Sequence, residues 1–99
     1  MLDMPEIRLE IRQLTLDESR IWLTLGEWES CVGHVDTALL LTSLLGIDVE
    51  MRRVSTSLLV GDELLAAQYN GPRLNEGAVS LPEGAKIRWY WVRVEMGSR

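Results

Sequence analysis

Two short segments of this chain combine residue types that could do chemistry on a small anion: Gly33-His34-Val35-Asp36-Thr37 and Pro72-Arg73-Leu74-Asn75-Glu76-Gly77. His34 is the only histidine of the chain. An imidazole, with an ordinary pKa of about 6.5, is the side chain best matched to proton transfer near neutrality. The residues after it carry apolar positions at helical spacing, so the segment reads as a loop-to-helix junction. The first backbone N–H groups of a helix lack partners and favour an anion. Arg73 offers a planar pair of donors that can bridge two phosphate oxygens. Glu76 follows close behind it in the same segment.

Groups this far apart in the chain can cooperate only if a fold brings them together. Ile7, Leu9 and Ile11 alternate with Arg8, Glu10 and Arg12, the period of a strand with one apolar face. Ile21, Leu23 and Leu25 repeat that alternation after the polar stretch Asp17-Glu18-Ser19, which predicts a hairpin. Val35, Ala38, Leu39, Leu41, Leu44 and Leu45 then fall at helical spacing, with Gly46 placed to end the helix in a left-handed conformation. Val54, Thr56, Leu58 and Val60 alternate with Ser55 and Ser57 as a further strand, and Gly61-Asp62 turns into the apolar run 64–67, which fits a central strand. Asn70-Gly71-Pro72 breaks it, Leu81-Pro82-Glu83-Gly84 reads as a type I turn, and 87–94 is a last strand dense in Trp, Tyr and Val. The fold expected is α+β: a single small domain over residues 1–99, with a mixed sheet of about five strands and one main helix packed on it.

Composition narrows the function. A chain of 99 residues has room for one domain with a thin stability margin, so it gains by dimerising. The net charge of −5 disfavours long DNA or RNA as partners. It leaves room for a small phosphorylated ligand, because cations cluster locally at Arg52-Arg53, Arg73 and Lys86-Arg88. One cysteine, Cys31, rules out an intramolecular disulfide and, with one histidine, offers no metal-ligand spacing. Cys31 reads as a small buried filler rather than a reactive thiol. The first residues form no signal peptide and no stretch approaches the ~20 apolar residues of a membrane span, so a cytoplasmic protein with no membrane partner is expected.

The order of the motifs resembles that of the viral ring-nuclease family, the type III anti-CRISPR enzymes, and their bacterial relatives. Those proteins open a helix with Gly-His-x-x-Thr and follow it with a Gly. An Arg at a strand start, a Gly-Asp turn and an Arg-Leu-x-Glu-Gly segment come next. Here the corresponding residues are Gly33, His34 and Thr37, then Gly46, Arg53, Gly61-Asp62, and Arg73, Leu74, Glu76 and Gly77. The likeness covers Gly33 to Val94. Asp36 stands where the family usually has Ser, and the N-terminal segment carries no motif that matches.

The resemblance implies a metal-independent homodimer, without cofactor, that encloses cyclic tetra-adenylate and cuts it by attack of the RNA's own 2′-hydroxyl. The products carry 2′,3′-cyclic phosphates, and the cut switches off type III CRISPR signalling. The catalytic residues it implies are His34 as general acid, Arg73 as clamp on the phosphorane, and Glu76, which either orients Arg73 or assists at the 2′-hydroxyl. Gly33, Val35, Asp36, Thr37 and Arg53 are the expected ligand-binding residues, with Asp36 and Thr37 also serving the first turn of the helix. Trp89 and Trp91 share one strand face and read as core or dimer interface before adenine-stacking platform. A dimer that sequesters a cyclic nucleotide without cutting it is the alternative, and a structural or regulatory protein with no nucleotide ligand is a third.

Overall fold

Trp89 sets the architecture. It is buried against Leu23, Leu41, Leu45 and Val49, with Leu14, Trp22, Leu65 and Ile87 packed around this cluster. The computed structural model describes residues 7–54 and 58–97. Along the chain the elements are β1 (Ile7–Leu14), α1 (Leu16–Leu25), α2 (Val35–Leu45), β2 (Glu63–Asn70) and β3 (Lys86–Met96). The strands form one sheet in the order β1-β3-β2, antiparallel throughout, with Leu14 opposite Trp89 and Leu65 opposite Trp91. The aromatic and β-branched density of β3 suits the middle of a pleated, half-buried surface. No helix of the described residues is long and apolar enough to cross a membrane.

The α+β class holds, but its parts differ from expectation. Among the described residues there are two helices and a three-stranded antiparallel sheet, rather than one helix on a mixed sheet of five. The largest change is at Leu16–Leu25, expected as a strand and found as α1. The reason is local: Thr15 accepts a hydrogen bond from the Glu18 N–H at 3.1 Å, and the Glu18 carboxylate accepts the Thr15 N–H at 2.9 Å. This reciprocal capping box starts a helix. Leu16, Ser19 and Leu23 then share the inward face, while Ile21 and Leu25, two of the three residues that suggested a strand, point to solvent.

The run 64–67 lies in β2, which among the described residues pairs only with β3 and so forms an edge of the sheet; the central strand is β3. Of the strand expected over 54–60, residues 55–57 lie outside the described residues, and Val54, Leu58, Leu59 and Val60 belong to no strand. The Gly61-Asp62 turn is present, with Gly61 at φ 94° and the Asp62 N–H bonded to the Leu59 carbonyl at 3.0 Å. The turn after Leu81 sits one residue later than expected. Its bond runs from Ala85 N–H to Pro82 O at 3.0 Å, which places Gly84, at φ 80°, third instead of fourth.

Burial changes face along the sheet. Near the helices the inner face of β3 is covered at Trp89, whereas farther along the buried residues are Val92 and Val94, which point to the opposite side. The molecule is drawn out to 50 × 28 × 25 Å with a radius of gyration of 15.6 Å. A compact chain of this length has about 13 Å. The sheet therefore extends past the helices that cover its base.

Candidate functional site

The helix α2 begins where expected, at Val35, and His34 is its N-cap. His34 has extended backbone angles, and its carbonyl accepts the Ala38 N–H at 3.0 Å. No side chain caps this end of the helix, and both His34 and Val35 are exposed. The first-turn amides therefore face a position an anion can reach.

Two neighbours frame that position. A parallel bridge joins Val32 to Met51, with the Arg52 N–H donating to the Val32 carbonyl at 2.7 Å. It lays Arg53 beside Gly33, whose carbonyl accepts from Arg53 Nη2 at 3.2 Å and Nε at 3.4 Å. Arg52 turns the other way and pairs with Glu29 at 2.8 Å. The hydrogen bond and charge of Glu29 raise the already high pKa of Arg52, so it remains a fixed cation. On the other side, the Gly77 N–H donates to Asp36 Oδ1 at 3.2 Å. Gly77 has φ 74°, a conformation that favours glycine and aims its amide at the helix.

The loop that carries Gly77 connects β2 to β3, and its base is pinched. A Cβ on Gly71 would lie 2.6 Å from the Ala85 Cβ, and the Tyr69 hydroxyl donates to the Pro72 carbonyl. Within the loop the Ala78 N–H bonds the Asn75 carbonyl at 3.1 Å. The two motif segments, distant in sequence, thus meet through Asp36 and Gly77.

The structure brings Gly33, His34, Val35, Asp36, Thr37 and Arg53 to one place. It sets Glu76 beside them as the residue preceding Gly77. Arg73 lies on the same loop but makes no bond to the helix. His34, Arg73 and Glu76 are all exposed, and among the described residues none has a side-chain hydrogen bond or ion pair. Arg73 and Glu76 do not pair with each other. Among the described residues no group of three or more His, Cys, Asp and Glu side chains is placed to hold a metal ion.

Sequence reasoning missed the role of Gly77, whose signal is a glycine after an acidic residue in a loop. It also missed the hold of Arg53 on a carbonyl. Trp89 is core, whereas Trp91 is half-buried, with the guanidiniums of Arg12 and Arg93 at 5.6 and 5.7 Å from its ring. Its Nε1–H donates to Glu63 at 3.0 Å, and it lines an open cleft of about 440 Å³ with Leu14, Ile21 and Trp22. Cys31 is exposed, not buried as expected of a filler: it lies in the loop before α2, where its neighbour Val32, rather than Cys31, packs against the Trp89 cluster.

The described residues form a small α+β domain in which the start of α2, without a side-chain cap, is framed by the loop at Gly77 and by Arg53. Residues 4–90 match the family model STIV B116-like, and the chain belongs to that family. It is similar to "Uncharacterized protein 26" of Sulfolobus islandicus filamentous virus (isolate Iceland/Hveragerdi), at 34% identity over 74 residues. The match covers 75% of this chain and 62% of the relative, so this chain spans less than two thirds of that protein's length.

Proposed function

We propose that this protein is a metal-independent ring nuclease that cuts cyclic tetra-adenylate as a homodimer and so switches off type III CRISPR signalling. The observation that carries the reading is the bond from the Gly77 N–H to Asp36 Oδ1, at 3.2 Å. It joins the two segments whose residues resemble the ring-nuclease motifs, and it does so at a helix start suited to a phosphate.

The chemistry follows from the residues available. The ribose 2′-oxygen attacks the adjacent phosphorus and forms the 2′,3′-cyclic phosphate as the bond to the 5′-oxygen breaks. His34 gives its proton to the departing 5′-oxygen. The amides of Val35 and Asp36, with Arg73, take up the negative charge that grows on the phosphorane oxygens. Arg53 adds positive charge beside Gly33. Since Glu76 makes no bond to Arg73, the role assigned to it is acceptance of the 2′-hydroxyl proton.

The test is to incubate the pure protein, in excess EDTA, with cyclic tri-, tetra- and hexa-adenylate and to analyse the products. Linear products ending in 2′,3′-cyclic phosphate are expected from the tetra-adenylate. Activity that disappears in chelator and returns with Mg²⁺ or Mn²⁺ overturns the mechanism. Binding without any cut favours the sequestering dimer. No thermal shift with any ring removes the nucleotide altogether.

A further inference from the structure

Trp89 and Trp91 share one face of β3, yet only Trp89 is buried among residues of the two helices. Beside Trp91, between α1 and the sheet, a cleft of about 440 Å³ opens to solvent. Its apolar walls are Leu14 from β1, Trp91 from β3, and Ile21, Trp22 and Leu25 from α1. Ile21 and Leu25 lie one helical turn apart and are 57% and 81% exposed. Contiguous apolar surface rimmed by polar groups, as here, marks a site of interaction.

The charged groups on the rim say what fits. Arg12, the cation among them, is already paired with Glu10 at 3.3 Å and lies over the Trp91 ring at 5.6 Å. The two carboxylates are held by neutral donors instead. Glu18 accepts the Thr15 N–H at 2.9 Å, and Glu63 accepts the Trp91 Nε1–H at 3.0 Å. Among the described residues neither has a cationic partner, and each keeps acceptor capacity for one. The uncompensated charge of the cleft is therefore negative, and its complement is an apolar group that carries positive charge. A small molecule is ordinarily enclosed over most of its surface by its pocket. Here Leu25 stands out from an open rim, so the occupant that covers it together with the cleft is a stretch of polypeptide laid along α1. From Glu18 to Leu25 a helix rises about 10 Å, the length of about two turns of a partner helix. A second copy of this chain is a poor occupant, because it brings a further net charge of −5 to unpaired carboxylates.

We propose that the cleft between α1 and the sheet docks a basic amphipathic helix of a different protein. The apolar side chains of that helix pack on Ile21, Trp22, Leu25 and Trp91, the mode in which amphipathic helices enter apolar grooves. Its Lys or Arg side chains pair with Glu18 and Glu63. No lining residue belongs to the start of α2 or to the loop at Gly77, and the docking does not rest on the ring-nuclease reading.

The experiment is fluorescence anisotropy on the full chain, with a labelled synthetic peptide of leucine and lysine in amphipathic helical spacing as the probe. This peptide should bind with micromolar affinity, and the same peptide with glutamate in place of lysine should not. Glu18→Gln and Glu63→Gln keep an acceptor for Thr15 and for Trp91, and glutamine also serves in a capping box, so both variants should fold as the wild type does. Each should weaken binding about two- to fivefold and reduce its sensitivity to salt. Ile21→Ser and Leu25→Ser, at exposed positions, should each weaken it on the order of tenfold. Glu83→Gln, in the turn before β3, removes the same charge outside the cleft and should leave binding unchanged. Circular dichroism checks that each variant is folded. No binding of the lysine peptide, equal affinity for both peptides, a loss with Glu83→Gln as large as with Glu63→Gln, or indifference to both serine variants overturns the proposal. So does self-association that Leu25→Ser abolishes in light scattering, because a second copy would then fill the cleft.

Discussion

The two ends of α2 are treated in opposite ways. At the C-terminal end nearly every polar group is occupied. Gly46, at φ 68°, returns its N–H to the Thr42 carbonyl at 2.9 Å. The Thr42 hydroxyl accepts the Val49 N–H at 2.9 Å and faces the Val49 carbonyl at 3.3 Å. From α1, Arg20 donates to the Leu45 carbonyl at 2.7 Å and to the Leu44 carbonyl at 3.2 Å, setting a cation at the negative end of the helix dipole. At the N-terminal end no side chain caps the amides, and His34 stands exposed at the cap position. One end packs into the protein and must satisfy its own groups. The other has no side-chain cap and is the end at which the proposed phosphate would bind. Stability should therefore be sensitive at the C-terminal end and activity at the N-terminal end.

The largest effect should come from His34→Ala. It removes the proposed proton donor, whose side chain makes no hydrogen bond among the described residues, so cleavage of cyclic tetra-adenylate should slow about 10²–10⁴-fold with an unchanged melting temperature. Ligand affinity, read by calorimetry, should change little. A variant that cuts at the wild-type rate would remove His34 as general acid and end the functional contrast between the two helix ends.

Arg20→Ala tests the opposite end. It uncovers two carbonyls at the C-terminus of α2 and removes the cation there. Hydrogen bonds from a charged donor are worth more than neutral ones, but Arg20 is 43% exposed and water can replace part of what is lost. A loss of about 1–2 kcal/mol is expected in urea unfolding, with the cleavage rate per folded molecule retained. Loss of rate without loss of stability would invert the comparison. Asp36→Ala should have a smaller effect, because it releases one hydrogen bond, that of the Gly77 N–H. The expected cost is about 0.5–1.5 kcal/mol, with weaker ligand binding as the loop moves from the helix.

Much of this arrangement was legible in the sequence, and the omissions have physical causes. The bounds of α2 and its Gly46 terminator could be read because the apolar spacing extends over several turns and ends in a residue that tolerates positive φ. The strands β1 and β3 could be read because period and propensity agree. The helix α1 was misread because Ile21, Leu23 and Leu25 happen to alternate, whereas the information lay in Thr15 and Glu18, whose reciprocal bonds nucleate a helix. The run 64–67 looked central because two alanines make it appear uniformly apolar, yet an alanine at an edge costs little exposed surface. In the site, residue types identified both segments. Their meeting did not show, because a bond between an amide and a carboxylate 41 residues apart leaves no local pattern. The same holds for Arg53 and the Gly33 carbonyl.

The smallest effect expected is a coupling close to zero, and it separates two roles for Glu76. If Glu76 worked by orienting Arg73, the two side chains would act as a unit, and loss of either would remove most of what the pair contributes. The structure holds no bond between them, and Glu76 is instead the residue next to Gly77, at the loop's contact with α2. As proton acceptor and phosphorane clamp they would serve different atoms of the substrate. Arg73→Ala should weaken binding and slow the cut, because it removes a charged bidentate contact. Glu76→Gln should slow the cut with binding nearly unchanged. The double variant should then lose the sum of the two barriers to within about 0.5 kcal/mol, the additivity of independent sites. A cycle run on single-turnover rates measures this directly. A coupling above about 1 kcal/mol would mean that the two side chains meet once the ring is bound, and the proton acceptor would have to be sought elsewhere around α2.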